Sequence, residues 1–405
     1  MKKFVYLCGM MLLSMNMMAQ IDLNDRNWKP IVVDDFDEQG RYFDNSFRDS
    51  EGKWIAFCPR LYPSGVTTPN RHNIFQYDHC TFSGGYLYIN SEFIHDTPIT
   101  CNEQTNYVIP PPCFGRSFWC DPDLDYLYYH SGMIESLPIV DTNHVGNWPP
   151  LYGQFRYGYF EIRCQIPVHE GSKTAFWLWD AQTDEYYEEI DVFEFSWGFE
   201  DPYAYWHHNP HPHGAGHPKC FTSGLYFNDE SSNLDVNTMS QGREYLMIDD
   251  ALSHWHNFSC EWMPDHVYWY CDGEMVDRYE NSDSIPSHPM TLKTCYKINR
   301  YAMDNNELYG NPQWTEGGSM VIDYINVYQL EWDCNRDELI SCQSDLVGFD
   351  YKVKKSVNIT STIEPVCVEN NDKVTFRVAD SFEVTGPFQV DGGGELTVIM
   401  QQCPE

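Results

Sequence analysis

Residues 188–198 read EEIDVFEFSWG. Four acidic and three aromatic side chains stand in a run that otherwise has the composition of a β-strand. Residues i and i+2 of a strand share a face, so Glu189 and Asp191 align. Strict alternation would put a third member at position 193, which is Phe193. Glu194 joins the row only if the strand absorbs one extra residue, as a β-bulge does. The pattern E-x-D-x-x-E therefore encodes three carboxyls, Glu189, Asp191 and Glu194, along one face of a bulged strand. Crowded carboxyls cannot all ionise cheaply, so their pKa values are driven apart. One can stay charged and act as a nucleophile while another holds a proton as a general acid. Two carboxyls about 5–5.5 Å apart are the arrangement of a retaining glycosidase. The Asp between them would orient and tune the nucleophile. Standing alone, the pattern also fits a calcium site or an exposed acidic strand edge, so its surroundings decide.

Those surroundings are β-rich. In YFEIRCQIP, Phe160, Ile162, Cys164 and Ile166 share one face, and Tyr159, Glu161, Arg163 and Gln165 the other. This predicts a strand with one buried face. HVYWYCDGEMVDRY predicts two strands joined at Asp272-Gly273, a hairpin-turn dipeptide. MVIDYINVYQL from Met320 and GGYLYINS from Gly84 predict two more. Turn-rich segments recur, no long helical periodicity follows the first residues, and no internal repeat of solenoid type is visible. Many short strands between turn signals predict a β-sandwich. A composition shift near 332–356 divides residues 20–332 from a small glycine-punctuated β-module, 333–405.

Five ordered blocks around the acidic strand resemble glycoside hydrolase family 16, in the bulged form shared by laminarinase-, agarase- and carrageenase-like members. They are YHSGMIES from Tyr129, YGYFEIRCQIP from Tyr157, TAFWLW from Thr174, HNFSCEWMPDHVYWYCDGEMV from His256, and MVIDYINVYQ from Met320. The resemblance implies an all-β, concanavalin-like jelly-roll sandwich with an open cleft on its concave face. It implies endo-hydrolysis of a β-linked glycan, galactan or glucan, with retention. Glu189 falls on the nucleophile, Asp191 on the assisting acid and Glu194 on the general acid/base. Trp177 matches a Trp that stacks on sugar, and Trp179, two residues on, either extends that platform or packs in the core. Asp323 alternates with Val321 and Ile325 and is expected to face inward, where the resemblance implies a structural calcium ion; catalysis itself needs no cofactor. One departure stands out. Laminarinase-like members carry Trp-Pro-x-x-Gly before the catalytic strand, and this chain has AQTDEYYEEID. That weighs against β-1,3-glucan. A transglycosylase or a non-catalytic glycan-binding protein on the same scaffold are the alternative readings.

The remaining signals concern location and partners. Residues 1–19, MKKFVYLCGMMLLSMNMMA, have the form of a cleavable export signal, too short to span a bilayer. A secreted or periplasmic monomer without a membrane span is expected. Of fifteen Cys, removal of Cys8 leaves an even number, which predicts several disulfides in an exported chain. Cys334, Cys342, Cys367 and Cys403 fall together and predict a separately stapled C-terminal unit. The formal charge of −35 repels nucleic acid and anionic surfaces, and works against a heavily sulfated glycan unless the cleft is locally basic. Aromatics make up 16% of the chain, enough to supply flat platforms for sugar rings as well as core. YWHHNPHPHGAGHPKC is a His-rich loop in which Trp206 and His207 are candidate sugar contacts, with a metal site as the competing reading.

Overall fold

The computed structural model describes residues 26–404, apart from 45–46, 57–72, 76, 94–128, 137–153, 169–171, 181–185, 197–219, 230–239, 247–252, 282–284, 299–317 and 362–363. Two antiparallel layers form a jelly-roll sandwich. One layer runs in the order Trp54–Ala56, Tyr129–Ser136, Met290–Ile298, Ser172–Asp180, Tyr186–Ser196, Cys220–Asp229 and Ser240–Leu246. The other runs Cys80–Ser83, Tyr86–Phe93, Gly318–Leu330, Gly158–Gln165, His256–Trp262, Val267–Cys271 and Glu274–Tyr279. Trp28–Asp34 pairs along the second half of Gly318–Leu330.

Alternation decides which residues meet between the layers. Phe160, Ile162 and Cys164 are fully buried, as are Leu178, Ile190, Phe193, Phe258 and Trp269. The Phe193 and Phe258 rings lie 4.3 Å apart between centroids, which joins the acidic strand to the opposite layer. Each fully buried side chain of this size contributes about 1.5–3 kcal/mol, so the sandwich is held mainly by this aromatic and aliphatic seam. The hairpin at Asp272-Gly273 has both residues at positive φ, 50° and 81°, as a type I′ turn requires. Gly132 lies so close to the turn Tyr77–His79 that a Cβ there would sit 2.7 Å from the His79 carbonyl oxygen.

Two expectations need correcting here. The second face of Gly158–Gln165 is not open: Tyr159 is fully buried and Glu161 nearly so. They lie under a second cluster in which Trp28, Tyr159, Tyr270 and Leu330 pack with Val353, Trp332, Cys334 and Cys403. The C-terminal segment therefore sits on the outer face of the sandwich. Asn27 Nδ2 donates to the Thr375 carbonyl at 3.1 Å, and the Arg377 guanidinium covers the Trp28 ring at 5.4 Å. Asp323 does not alternate into the core either. The register slips between Ile322 and Tyr324, so Asp323 is the extra residue of a bulge. It pairs with Arg163, and Ile322 and Ile325 take the buried positions.

The C-terminal segment has its own core, including Ile340, Val357, Ile359, Val366, Phe376 and Val378. Its strands are parallel, each laid beside the last: Trp332–Ile340, Val353–Ile359, Lys373–Val384 and Glu395–Met400, with Val366–Val368 beside Phe388–Val390. This is a short solenoid, although no solenoid repeat is visible in the sequence. The coils differ in length. Asp337 lies beside Ser356, Trp332 beside Val353, Val366 beside Phe388 and Ser356 beside Ser381, so no fixed period survives. Cys334 and Cys403 are disulfide-bonded across it. Cys342 and Cys367 are free thiols, as are the five buried Cys among the described residues of the sandwich. Several disulfides were expected, and one lies among the described residues. Buried thiols here replace aliphatic residues in the core.

Candidate active site

The register of the acidic strand carries the site. On one side, Glu189 pairs with Trp179 and Asp191 with Trp177; the ladder then slips, and Glu194 pairs with Ala175. On the other side, Asp191 pairs with Gly224 and Glu194 with Thr222. The strand thus has the bulge that the sequence spacing requires. Ile190, Val192, Phe193 and Phe195 are all buried in the core. Val192 and Phe193 take successive inward positions, which returns Glu194 to the face of Glu189 and Asp191.

A bulge disturbs ladder hydrogen bonds, and the carbonyls at its ends need other donors. The buried indole of Trp269, from the opposite layer, donates to the Asp191 carbonyl at 2.8 Å. The Thr222 hydroxyl donates to the Glu194 carbonyl at 3.3 Å. Trp269, which sequence reasoning did not single out, thus fixes the segment that aims all three carboxyls. The other glutamate of the motif, Glu188, points away from them. It is buried and accepts the Ser287 and His288 N–H groups at 2.9 and 2.8 Å, with His288 Nδ1 at 3.2 Å.

The neighbouring strands extend this face in cross-strand rows. Asp191, Trp177, Lys293 and Glu135 form one row, and Glu194, Ala175, Cys295 and Met133 the next. Lys173 and Lys297 are paired one step further along. Trp177 is buried among Met133, Ala175 and Cys295, with Trp179 packed at the edge. Lys293 lies 3.2 Å from Glu135, and its ammonium sits 4.6 Å from the centre of the Trp179 ring. One face of Trp179 is therefore taken by a cation. Lys173 Nζ is 2.7 Å from Glu194 Oε1.

The electrostatics follow from burial and crowding. Burial, and then the charge of Glu194, raise the Glu189 carboxyl above its ordinary range. Burial, and then the charges of Glu189 and Glu194, raise Asp191 well above its range; its hydrogen bond with Glu189 adds to this. These two carboxyls act as one coupled pair that retains a proton more readily than ordinary acids. Burial lowers Lys173, but the charge and hydrogen bond of Glu194 outweigh it, and the net shift is upward. Burial and the neighbouring Lys173 charge lower Lys297 to about 8.

The structure brings together five of the sequence-derived candidates: Glu189, Asp191, Glu194, Trp177 and Trp179. Trp206 and His207 lie outside the described residues. Asp323 belongs to the opposite layer, paired with Arg163. The acidic group close enough to share a cation among the described residues is Asp34, Asp35 and Glu38. There Arg41 already holds Asp34 at 2.6 Å and Glu38 at 3.0 Å. Sequence reasoning missed Lys173, Lys293 and Lys297. The signal was present: Lys293 and Lys297 are four apart in a strand, as are Lys173 and Trp177, so each pair shares a face.

The carboxylate row, the two Trp and the three Lys thus lie on one face of a single layer. Residues 152–326 match the model of glycosyl hydrolases family 16. Among curated relatives, endo-1,3-1,4-beta-glycanase ExsH of Rhizobium meliloti is 24% identical over 179 residues, 44% of this chain and 31% of that protein. The beta-glucanase of Rhodothermus marinus is 28% identical over 131 residues, 31% of this chain and 38% of that protein. The chain thus spans about a third of the length of such relatives. The laminarinase catalytic domain of Thermotoga petrophila aligns with TM-score 0.47 at 16% identity, covering 75% of this chain and 98% of that one. Porphyranase B of Zobellia galactanivorans aligns with TM-score 0.48 at 14% identity, covering 75% and 93%.

Proposed function

We propose that the chain is an exported, endo-acting retaining glycoside hydrolase that cleaves a β-linked galactan or glucan by double displacement. The observation that carries this reading is the bulged register, which puts Glu189, Asp191 and Glu194 on one face. Glu189 attacks the anomeric carbon as Glu194 gives its proton to the departing glycosidic oxygen. The glycosyl–Glu189 ester is then hydrolysed by a water from which Glu194 takes a proton. Asp191, hydrogen-bonded to Glu189, holds the proton the pair shares and leaves Glu189 ionised for attack. Trp179, half-buried beside the buried Trp177, supplies an aromatic surface for a sugar ring on the face that Lys293 does not cover.

No metal or cofactor takes part in these steps. The expected calcium at Asp323 gains no support from a carboxylate already paired with Arg163. The leader-like residues 1–19 support export, and no helix of the described residues is long and apolar enough to cross a membrane. The test is a product screen. Purified protein is incubated with laminarin, mixed-linkage glucan, agarose, porphyran, carrageenan and a mucin-type glycan, beside Glu189→Gln. Oligosaccharides from a polymer, absent with the variant, are expected. Equal products from both proteins, or none from any polymer, would refute the reading.

A further inference from the structure

The chain carries 25 basic against 60 acidic residues, yet three lysines stand on the floor of its catalytic face. They are not equivalent. Lys293 is committed to Glu135 at 3.2 Å. Lys173 is committed to Glu194 at 2.7 Å. Lys297 is only 8% exposed and forms no hydrogen bond or ion pair with a described residue. Register sets it directly beside Lys173. An unpaired buried amine next to another ammonium is unfavourable for the free protein. Its lowered pKa, about 8, reflects that. Such a site is relieved by an anion.

The Lys173 pair also conflicts with the chemistry. A general acid must be neutral to protonate a leaving oxygen, and an ammonium in contact holds a carboxylate in its charged form. Something has to take Lys173 off Glu194 when the glycan is bound. A negatively charged group seated between Lys173 and Lys297 does this. It gives both ammoniums a partner, and Glu194 then takes up a proton from water. A neutral glycan offers no such exchange.

We propose that Lys173 and Lys297 form a receptor for an anionic substituent of the glycan, a sulfate ester or a uronate carboxylate, whose arrival releases Glu194 for acid catalysis. This rests on the assignment of Glu194 as the acid/base, and it names the substrate class of that site. It also explains how a chain of charge −35 accommodates a charged polymer: the attraction is local and short-ranged.

The test separates the receptor from the hydrolase. Binding is measured by calorimetry with Glu189→Gln protein, so that no turnover intervenes. The probes are a sulfated galactan oligosaccharide with its desulfated counterpart, and a uronate-bearing oligosaccharide with its carboxyl-reduced counterpart. At least one charged member is expected to bind about 10- to 100-fold tighter than its neutral partner, and which pair shows this identifies the anion. Adding Lys297→Met should collapse that ratio towards one. Its melting temperature should rise, because a buried unpaired amine has gone, and this shows that the fold is intact. Adding Lys173→Met instead should collapse the ratio as well. A charged probe that binds no better than its partner in both pairs, or a ratio that survives Lys297→Met, overturns the receptor. Hydrolysis of a neutral glycan with no charge preference in binding would leave the hydrolase and remove the receptor. Charge-selective binding without hydrolysis of any polymer would leave an anion site but overturn both the hydrolase and the release of Glu194.

Discussion

Adjacent glutamates of the EEID segment should fail in opposite ways. Glu188 accepts two backbone N–H groups, from Ser287 and His288, at 2.9 and 2.8 Å and lies beside His288 Nδ1. Hydrogen bonds to a charged acceptor are worth about 1.5–3 kcal/mol each. Ser287 is exposed and recovers water, so truncation costs less than the full sum. Glu188→Ala should therefore lose about 2–4 kcal/mol. At about 2–4 °C per kcal/mol for a domain of this size, the melting temperature should fall by roughly 5–15 °C. Glu189→Gln removes a carboxylate that burial and the Glu194 charge already disfavour. Its melting temperature at pH 8 should equal or exceed that of the parent, while hydrolysis falls more than about 1,000-fold. Thermal melts and product release on the two proteins decide it. A stable, inactive Glu188→Ala beside a destabilised, active Glu189→Gln would mean that the strand is registered one residue away from the position described.

Four further outcomes follow from the same geometry. Trp269→Phe removes the indole donor to the Asp191 carbonyl; it should lower stability by about 1–3 kcal/mol in urea titration and lower kcat more than it raises KM. Because Glu189 and Asp191 are raised, the acidic limb of kcat/KM should lie above the usual carboxyl range, and Asp191→Asn should move it to lower pH while reducing the rate about 100-fold or more. The same shifts set the stability sign. The pair's contribution is greatest below the unfolded-state carboxyl pKa and is lost as pH rises through the folded values, so the stability gained by Glu189→Gln should grow from pH 4 to pH 8. Arg41→Met strands the buried carboxylates of Asp34 and Asp49, which Arg41 now holds at 2.6 and 2.7 Å, and should cost about 3–5 kcal/mol in the same titration.

What the sequence revealed and what it hid divide along the range of the interactions. The bulge was legible because it is local: E-x-D-x-x-E admits a shared carboxylate face only with one inserted residue. The second bulge was hidden because at Asp323 nothing in the chain marks the slip; the Arg163 that receives the side chain lies on another strand. Tyr159 and Glu161 read as a solvated face because their cover comes from Val353 and Cys403, far along the chain. The three lysines share faces that alternation could have paired, but only sheet order shows that those faces meet at Glu194. Parallel coils of unequal length left no period to find.

The most direct test of the central claim is the stereochemistry of the first products. With a cleaved polymer from the panel, proton NMR at the earliest turnovers reports the anomer of each new reducing end. Double displacement at Glu189 predicts the β anomer first, relaxing to the mixture only by mutarotation, and no signal with Glu189→Gln. An α anomer appearing first would mean a single displacement, with Glu189 and Glu194 acting on water rather than through a glycosyl ester, and would contradict the mechanism.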